Sequence, residues 1–157
     1  MKQSVPELSI VLVSYNTAGY TRRALESLYR ETQLTCFEVI VVDNASSDDS
    51  VAMLRQHFPQ ITLIESDKNL GFAGGVQLGA QRARGEYILL LNPDTVILNA
   101  AVDRLMDFAK QRPANGIWSG VTLNQDLSIN TQHAWERPTL KNLLFSALGL
   151  SKLFKHS

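Results

Sequence analysis

The stretch Phe37 to Val51, FEVIVVDNASSDDSV, passes from an almost unbroken Val/Ile run to short polar side chains and then to residues that start a helix. A strand with one solvated face alternates apolar and polar residues, whereas a continuous β-branched run marks a strand covered on both faces, as in a parallel sheet. The run stops at Asp43, and Ser46 or Ser47 is placed to cap a helix, with Asp48 and Asp49 at its positive end.

Working outward, three more runs have strand length: Leu8 to Val13, Ile61 to Ile64 and Tyr87 to Leu91. The last is Leu-rich and reads as the most buried of the four. Helical spacing separates them. Tyr20, Ala24, Leu25 and Leu28 mark one apolar face, Val51, Leu54 and Phe58 a second, and Phe72, Val76, Ala80 and Ala83 a third. A fourth helix is expected from about Asn99, burying Val102, Leu105, Met106 and Ala109 and ending before Pro113. Strict strand–helix alternation implies an α/β fold, an open and mostly parallel sheet with helices on both faces. Beyond Ile117 a hairpin is expected over Val121 to Thr131, turning at Asn124 to Asp126.

The chain has 157 residues, 45% hydrophobic and 19% charged, which suits a domain with one core. Fifteen basic residues balance fifteen acidic ones, so no overall field draws the chain to nucleic acid, and an anion site must be built locally. The single cysteine, Cys36, precedes a strand and reads as a small buried hydrophobe. No leader-like or membrane-spanning run is evident, and a cytoplasmic location is expected.

Ligands of such sheets bind at the carboxyl ends of the strands. Those ends carry Ser14-Tyr15-Asn16, Asp43-Asn44 and Asn92-Pro93-Asp94. Two phosphate-binding patterns are absent: the first strand does not run into G-x-G-x-x-G, and no Gly-Lys pair exists to complete a P-loop. Asp43 can accept a hydrogen bond from a pyrimidine ring N–H, or with Asn44 it can form an Asx-turn before the helix. Asp94, behind Pro93 at a strand end, suits Mg²⁺ or Mn²⁺ shared with substrate phosphates, or is a turn acid. The glycines of Asn69-Leu70-Gly71-Phe72-Ala73-Gly74-Gly75 allow close approach of a ligand to the backbone, or simply make a turn.

In order and spacing, LSIVLVSYN (Leu8 to Asn16), EVIVVDNASSDDSV (Glu38 to Val51), NLGFAGG (Asn69 to Gly75) and GEYILLLNPDT (Gly85 to Thr95) resemble family 2 glycosyltransferases, most closely a bacterial rhamnosyltransferase-like branch. The resemblance implies a Rossmann-like sheet of the GT-A type, incomplete at its C-terminal end. It implies a nucleotide-sugar-binding domain over 1–120, with 121–157 as a hairpin and amphipathic tail opening the acceptor side. Inverting transfer from a dTDP- or UDP-sugar in cell-surface polysaccharide synthesis is the implied activity, with a divalent metal, Mg²⁺ or Mn²⁺, as cofactor. Ser14, Tyr15, Asn16, Asp43, Asn44, Asn69, Gly71, Phe72 and Asn92 would then bind the donor, and Asp94 the metal. Asn92 stands at the first position of the family's D-x-D motif, and Gln77 replaces an Asn usual in its helix. No segment after Gly120 matches the family's acidic base. Asp126 and Glu136 read as surface acids, His57, His133 and His156 as ordinary surface histidines, and the catalytic residue is unassigned. A rival reading is a truncated or regulatory nucleotide-binding module.

In the tail, Leu140, Leu143, Leu144, Ala147, Leu148 and Phe154 share a helical face, with Lys141, Lys152, Lys155 and His156 adding positive charge. Such a face packs on its own domain, drives self-association, or makes peripheral contact with the inner face of a membrane, which would suit a glycan or lipid-linked acceptor.

Overall fold

A computed structural model describes residues 5–130. The chain divides into two units, Met1–Trp118 and Ser119–Ser157. The first runs β1 (Leu8–Ser14), α1 (Ala18–Glu31), β2 (Phe37–Asp43), α2 (Ser50–His57), β3 (Thr62–Glu65), α3 (Gly71–Ala80), β4 (Tyr87–Leu90) and α4 (Ala101–Lys110). All pairings are parallel and the order is β3-β2-β1-β4. The expected open α/β sheet is therefore present, with each strand within a residue or so of its apolar run.

Growth of the sheet reverses at β1: β2 and β3 are added on one side, β4 on the other. Right-handed crossovers then send α3 to the face opposite α1 and α2. On one face Leu8, Ile10, Leu12, Val39 and Val41 form the main core with Ala24, Leu25 and Leu28 of α1, Leu54 of α2, and Val102 and Met106 of α4. On the other, α3 lies over Val11, Val13 and Val42. The reversal point lies between the carboxyl ends of β1 and β4, where this class of sheet binds ligands.

Five expectations change. Tyr20 is exposed, while Ala24, Leu25 and Leu28 of the same expected α1 face are buried. The buried side of α3 is Gly75 and Gly79, while Phe72 is exposed and Val76 and Ala80 are half-buried. An added Cβ would come within 2.6 Å of Val13 at Gly75 and 2.5 Å of Val11 at Gly79, so the helix sits on the sheet by having no side chain there. β4 is an edge strand, not the most buried: Ile88 and Leu90, on the α3 face beside Ser9 and Val11, are exposed because α3 covers only β1 and β2. Cys36 is exposed, since it ends the loop before β2 and serves through its carbonyl, which accepts N–H bonds from Glu7 and Leu8. Asp49, not Ser46 or Ser47, occupies the N-cap of α2, and the Asp48 carboxylate accepts the Ser50 N–H at 3.0 Å.

The α3–β4 connection is fixed by a polar clasp. Arg84 donates to Glu38 through Nε at 2.9 Å and a terminal nitrogen at 2.7 Å, and the N–H groups of Arg84 and Gly85 donate to Ser9 Oγ. In the second unit, Leu123 and Ile129 form one antiparallel bridge. Asp126 closes its turn by accepting from Ser128, which holds its carboxyl below the usual range, so it is an exposed turn acid. His57 is exposed as expected. Glu136, His133, His156 and the amphipathic tail lie outside the described residues. Among the described residues, no helix is long and apolar enough to cross a membrane.

The glycine contact gives a prediction with its own control. Alanine gains ~1 kcal/mol of helix propensity over glycine, whereas forcing a methyl group into packed, stiff valines costs ~1–3 kcal/mol. Gly79→Ala should therefore destabilise the fold by up to a net ~2 kcal/mol, seen as a lower urea midpoint at unchanged m-value. Gly19→Ala in α1, where an added Cβ meets nothing within 4 Å, should be neutral or stabilising. A Gly79→Ala protein as stable as Gly19→Ala would refute the close approach.

Candidate functional site

The strand-end residues named from sequence do gather on one rim, but with different duties. Ser14 is fully buried, and its hydroxyl turns inward to Thr17 at 3.0 Å and Thr21 at 3.1 Å, forming a three-hydroxyl knot at the start of α1. Tyr15, next in the chain, is exposed. Asn16 adopts a left-handed φ of 52° and locks the first loop to the second. Its N–H donates to Ser46 Oγ at 2.9 Å and its side-chain oxygen accepts the Ser47 N–H at 2.7 Å. Asp48 joins the same lock by accepting the Ala18 N–H at 3.1 Å. Partial desolvation opposes the charge of Asp48, but bonds from Ser50 and Ala18 outweigh it and hold the carboxyl below its usual value.

Asp43 is 2% exposed at the end of β2. One oxygen accepts the Ser46 N–H at 2.9 Å, the turn-forming role that the sequence left open. The other, Oδ1, is buried without a hydrogen-bond partner among the described residues. A desolvated carboxylate oxygen with no donor is costly, so this atom marks a place where a ligand donor would be gained at full value.

Asn44 is equally buried, and its amide is spent on the loop before α3. Nδ2 donates to Asn69 Oδ1 at 2.8 Å and to the Gly71 carbonyl at 3.2 Å, while Oδ1 accepts the Leu70 N–H at 2.9 Å. Asn69 Oδ1 also accepts the Gly71 N–H at 2.8 Å, and Gly71 has φ 69°, where only glycine sits without strain. Phe72 and Gln77 are exposed.

After β4, Thr95 N–H closes a turn onto the Asn92 carbonyl at 3.1 Å, leaving Asn92 and Asp94 exposed. The far end of this loop is pinned to α1. Ile97 donates to Ser27 Oγ at 2.9 Å, and the Glu31 carboxylate accepts from Asn99 and Ala100, both left-handed at φ 52°. Asp94 makes no hydrogen bond or ion pair among the described residues, which also hold no cluster of three His, Cys, Asp or Glu. The donor set therefore fits a hard cation held by one carboxylate, with phosphate oxygens and water completing its shell, and does not fit an all-protein cage.

Sequence reasoning missed Thr17, Thr21, Ser46 and Asp48 as the residues that brace the rim. The only local signal was the density of hydroxyls and acids beside each strand end, which does not say which loop answers which.

The sequence model described as glycosyl transferase family 2 matches residues 9–156. An uncharacterized glycosyltransferase of Haemophilus influenzae is 32% identical over 106 residues, covering 68% of this chain and 35% of that protein. A succinoglycan biosynthesis protein, ExoO of Rhizobium meliloti, is 33% identical over 67% of this chain and 30% of its own length. A poly(ribitol-phosphate) beta-glucosyltransferase of Bacillus spizizenii is 32% identical over 79% of this chain and 20% of its own length. The chain thus spans about a third or less of these relatives. Among solved structures, Staphylococcus aureus TarS 1-349 superposes with a TM-score of 0.61 at 22% identity, over 68% of this chain and 33% of that one. A mannosyltransferase of Pyrobaculum calidifontis, in complex with GDP-Man and Mn²⁺, gives 0.61 at 23% over the same shares. These two likenesses establish the GT-A type of fold.

Proposed function

Because the chain belongs to glycosyl transferase family 2, we propose that it is the nucleotide-sugar-binding part of an inverting glycosyltransferase. It would act in cell-surface polysaccharide synthesis, within the rhamnosyltransferase-like branch that its motifs resemble. Residues 1–120 form the donor domain in this reading, and 121–157 begin the acceptor side. Relatives named for succinoglycan and poly(ribitol-phosphate) chemistry support a glycan or lipid-linked acceptor. The family match along 9–156 favours this reading over a purely regulatory nucleotide-binding module. A cytoplasmic setting, with the tail making peripheral membrane contact or self-associating, suits such an acceptor.

The observation that carries the donor assignment is the buried, unpartnered Oδ1 of Asp43. It accepts the ring N–H of uracil or thymine, which cytosine lacks. Tyr15, Gly71 and Phe72 line the donor, Asn92 lies beside it, and Ser14, Asn16, Asn44 and Asn69 shape the loops around it. Asp94 holds the divalent ion, which when bound would neutralise charge on the departing diphosphate. Inversion requires only that an acceptor hydroxyl lose its proton to a base as its oxygen attacks the anomeric carbon, so no protein nucleophile is needed.

The test is calorimetry with UDP, dTDP and GDP, each with and without Mn²⁺. Asp43→Asn keeps the shape but presents mixed donor and acceptor character, and should weaken UDP and dTDP by ~1–3 kcal/mol, about 5- to 150-fold. GDP binding that is as strong as UDP binding and falls equally in Asp43→Asn would remove the base-selecting role. The neighbour bound to GDP-Man makes this comparison necessary, because the fold itself accepts either base.

A further inference from the structure

We propose that Asn44 is a positioning residue that sets the Asn69–Gly71 loop against the Asp43 pocket and does not touch the donor itself. The inference rests on the reading that this rim binds a nucleoside diphosphate, and it assigns the neighbouring asparagine a task that the motif alone does not reveal.

The argument is one of available atoms. A primary amide offers two N–H donors and one carbonyl oxygen. Here Nδ2 serves Asn69 Oδ1 and the Gly71 carbonyl, and Oδ1 serves the Leu70 N–H. With both amide N–H groups and the side-chain oxygen bonded within the chain, Asn44 has no free donor to offer a ligand. Its own N–H is committed as well, to the Ser14 carbonyl at 2.8 Å. Backbone and side chain therefore tie the end of β1 to the start of α3 through one residue. The contrast with Asp43 next door is sharp: that side chain is just as buried but keeps one oxygen unspent.

The far side of the bridge has the features of a part that must be held. Leu70 is the N-cap of α3 and makes no side-chain hydrogen bond, and Gly71, the first residue of the helix, sits in the left-handed region. Without Asn44 nothing described fixes the Leu70 N–H, and Asn69 loses the donor that orients its oxygen toward Gly71. A loop freed in this way must be ordered again each time a ligand binds, which lowers affinity without removing any ligand contact.

Amide hydrogen exchange and UDP calorimetry in Mn²⁺ separate the possibilities, using Asn44→Ala, Asn69→Ala and the double variant. In Asn44→Ala the Leu70 and Gly71 amides should lose about tenfold or more of their protection, while Ser46 and Ser47, held by Asp43 and Asn16, keep theirs. UDP affinity should fall about 5- to 50-fold, and adding Asn69→Ala should cost little more, because both changes break the same bridge. Leu70 protection that survives in Asn44→Ala, losses that add in the double variant, or an equal loss at Ser46 and Ser47 would overturn the inference. Failure of UDP and dTDP to bind the wild-type chain overturns the donor reading instead, and the exchange result then decides the bridge by itself.

Discussion

Asp94→Ala is expected to abolish the Mn²⁺-dependent part of nucleoside diphosphate binding while leaving the fold unchanged. The expectation of an intact fold follows from its surroundings: the side chain is exposed, and no described group depends on it. Substitutions of that kind usually alter stability by less than ~0.5 kcal/mol. The binding effect is large for the opposite reason. With no cluster of three ligating residues among those described, Asp94 would be the ion's protein anchor. Loss of a group that only orients a metal ligand typically costs 10- to 100-fold in metal affinity, so loss of the ligand itself should exceed about 100-fold. UDP titrated into Asp94→Ala should give the same affinity in Mn²⁺ as in EDTA. A variant that retains the wild-type gain in Mn²⁺ would move the metal elsewhere.

The second large effect concerns stability. Asp103, on α4, is buried and accepts hydrogen bonds from the N–H groups of Gln33, Leu34 and Thr35 and from the Thr35 hydroxyl, at 2.7 to 3.2 Å. Alanine at this position strands three backbone donors at the α1–β2 turn. Losing hydrogen bonds to a charged acceptor and leaving their donors unpaired costs ~1.5–3 kcal/mol, which for a chain of this size corresponds to a melting temperature lower by roughly 5–10 °C. Burial works against the charge of Asp103, but the Gln33 and Thr35 bonds and their neighbours outweigh it and hold the carboxyl below the usual aspartate range. The sign of the pH dependence follows. A depressed folded-state pKa contributes stability fully above the unfolded value, near ~3.9, and that contribution is lost as pH falls through the lower folded value. The gap between wild type and Asp103→Asn should therefore be widest above about pH 5 and close on acidification. A gap that stays constant from pH 7 to pH 3 would mean that the carboxylate is not the source.

The framework was legible because its strands are of the kind that sequence displays well. β1 and β2 are covered on both faces, and only unbroken runs such as Ile10 to Val13 and Val39 to Val42 satisfy that condition. α3 was legible as a helix but not in its orientation. Periodicity is read from side chains, and its sheet-facing surface is Gly75 and Gly79, which have none. Leu89, Leu90 and Leu91 look alike in sequence although Leu90 is 49% exposed and Leu91 8%, because which face of β4 a helix covers is set by the fold and not by local composition. The rim separated in the same way. Asp43, Asp94 and the glycines stood out by their place at strand ends, whereas the duties of Asn16 and Asn44 depend on partners 25 to 31 residues away.

The place of β4 at the sheet's edge also orders events in time. β1, β2 and β3 are joined by consecutive crossovers and can pair as each is synthesised, but β4 must return past both neighbours to reach the free side of β1. Closing that larger loop is the slower step, and a four-residue strand with one partner gains little when it docks. In pulse-labelled refolding, amides of β1 and β2 should become protected before those of β4, and in the folded chain the edge strands β3 and β4 should open before β1 and β2. The turn bearing Asp94 rides on that strand, so nascent and partly opened chains would have Asp43 in place before Asp94.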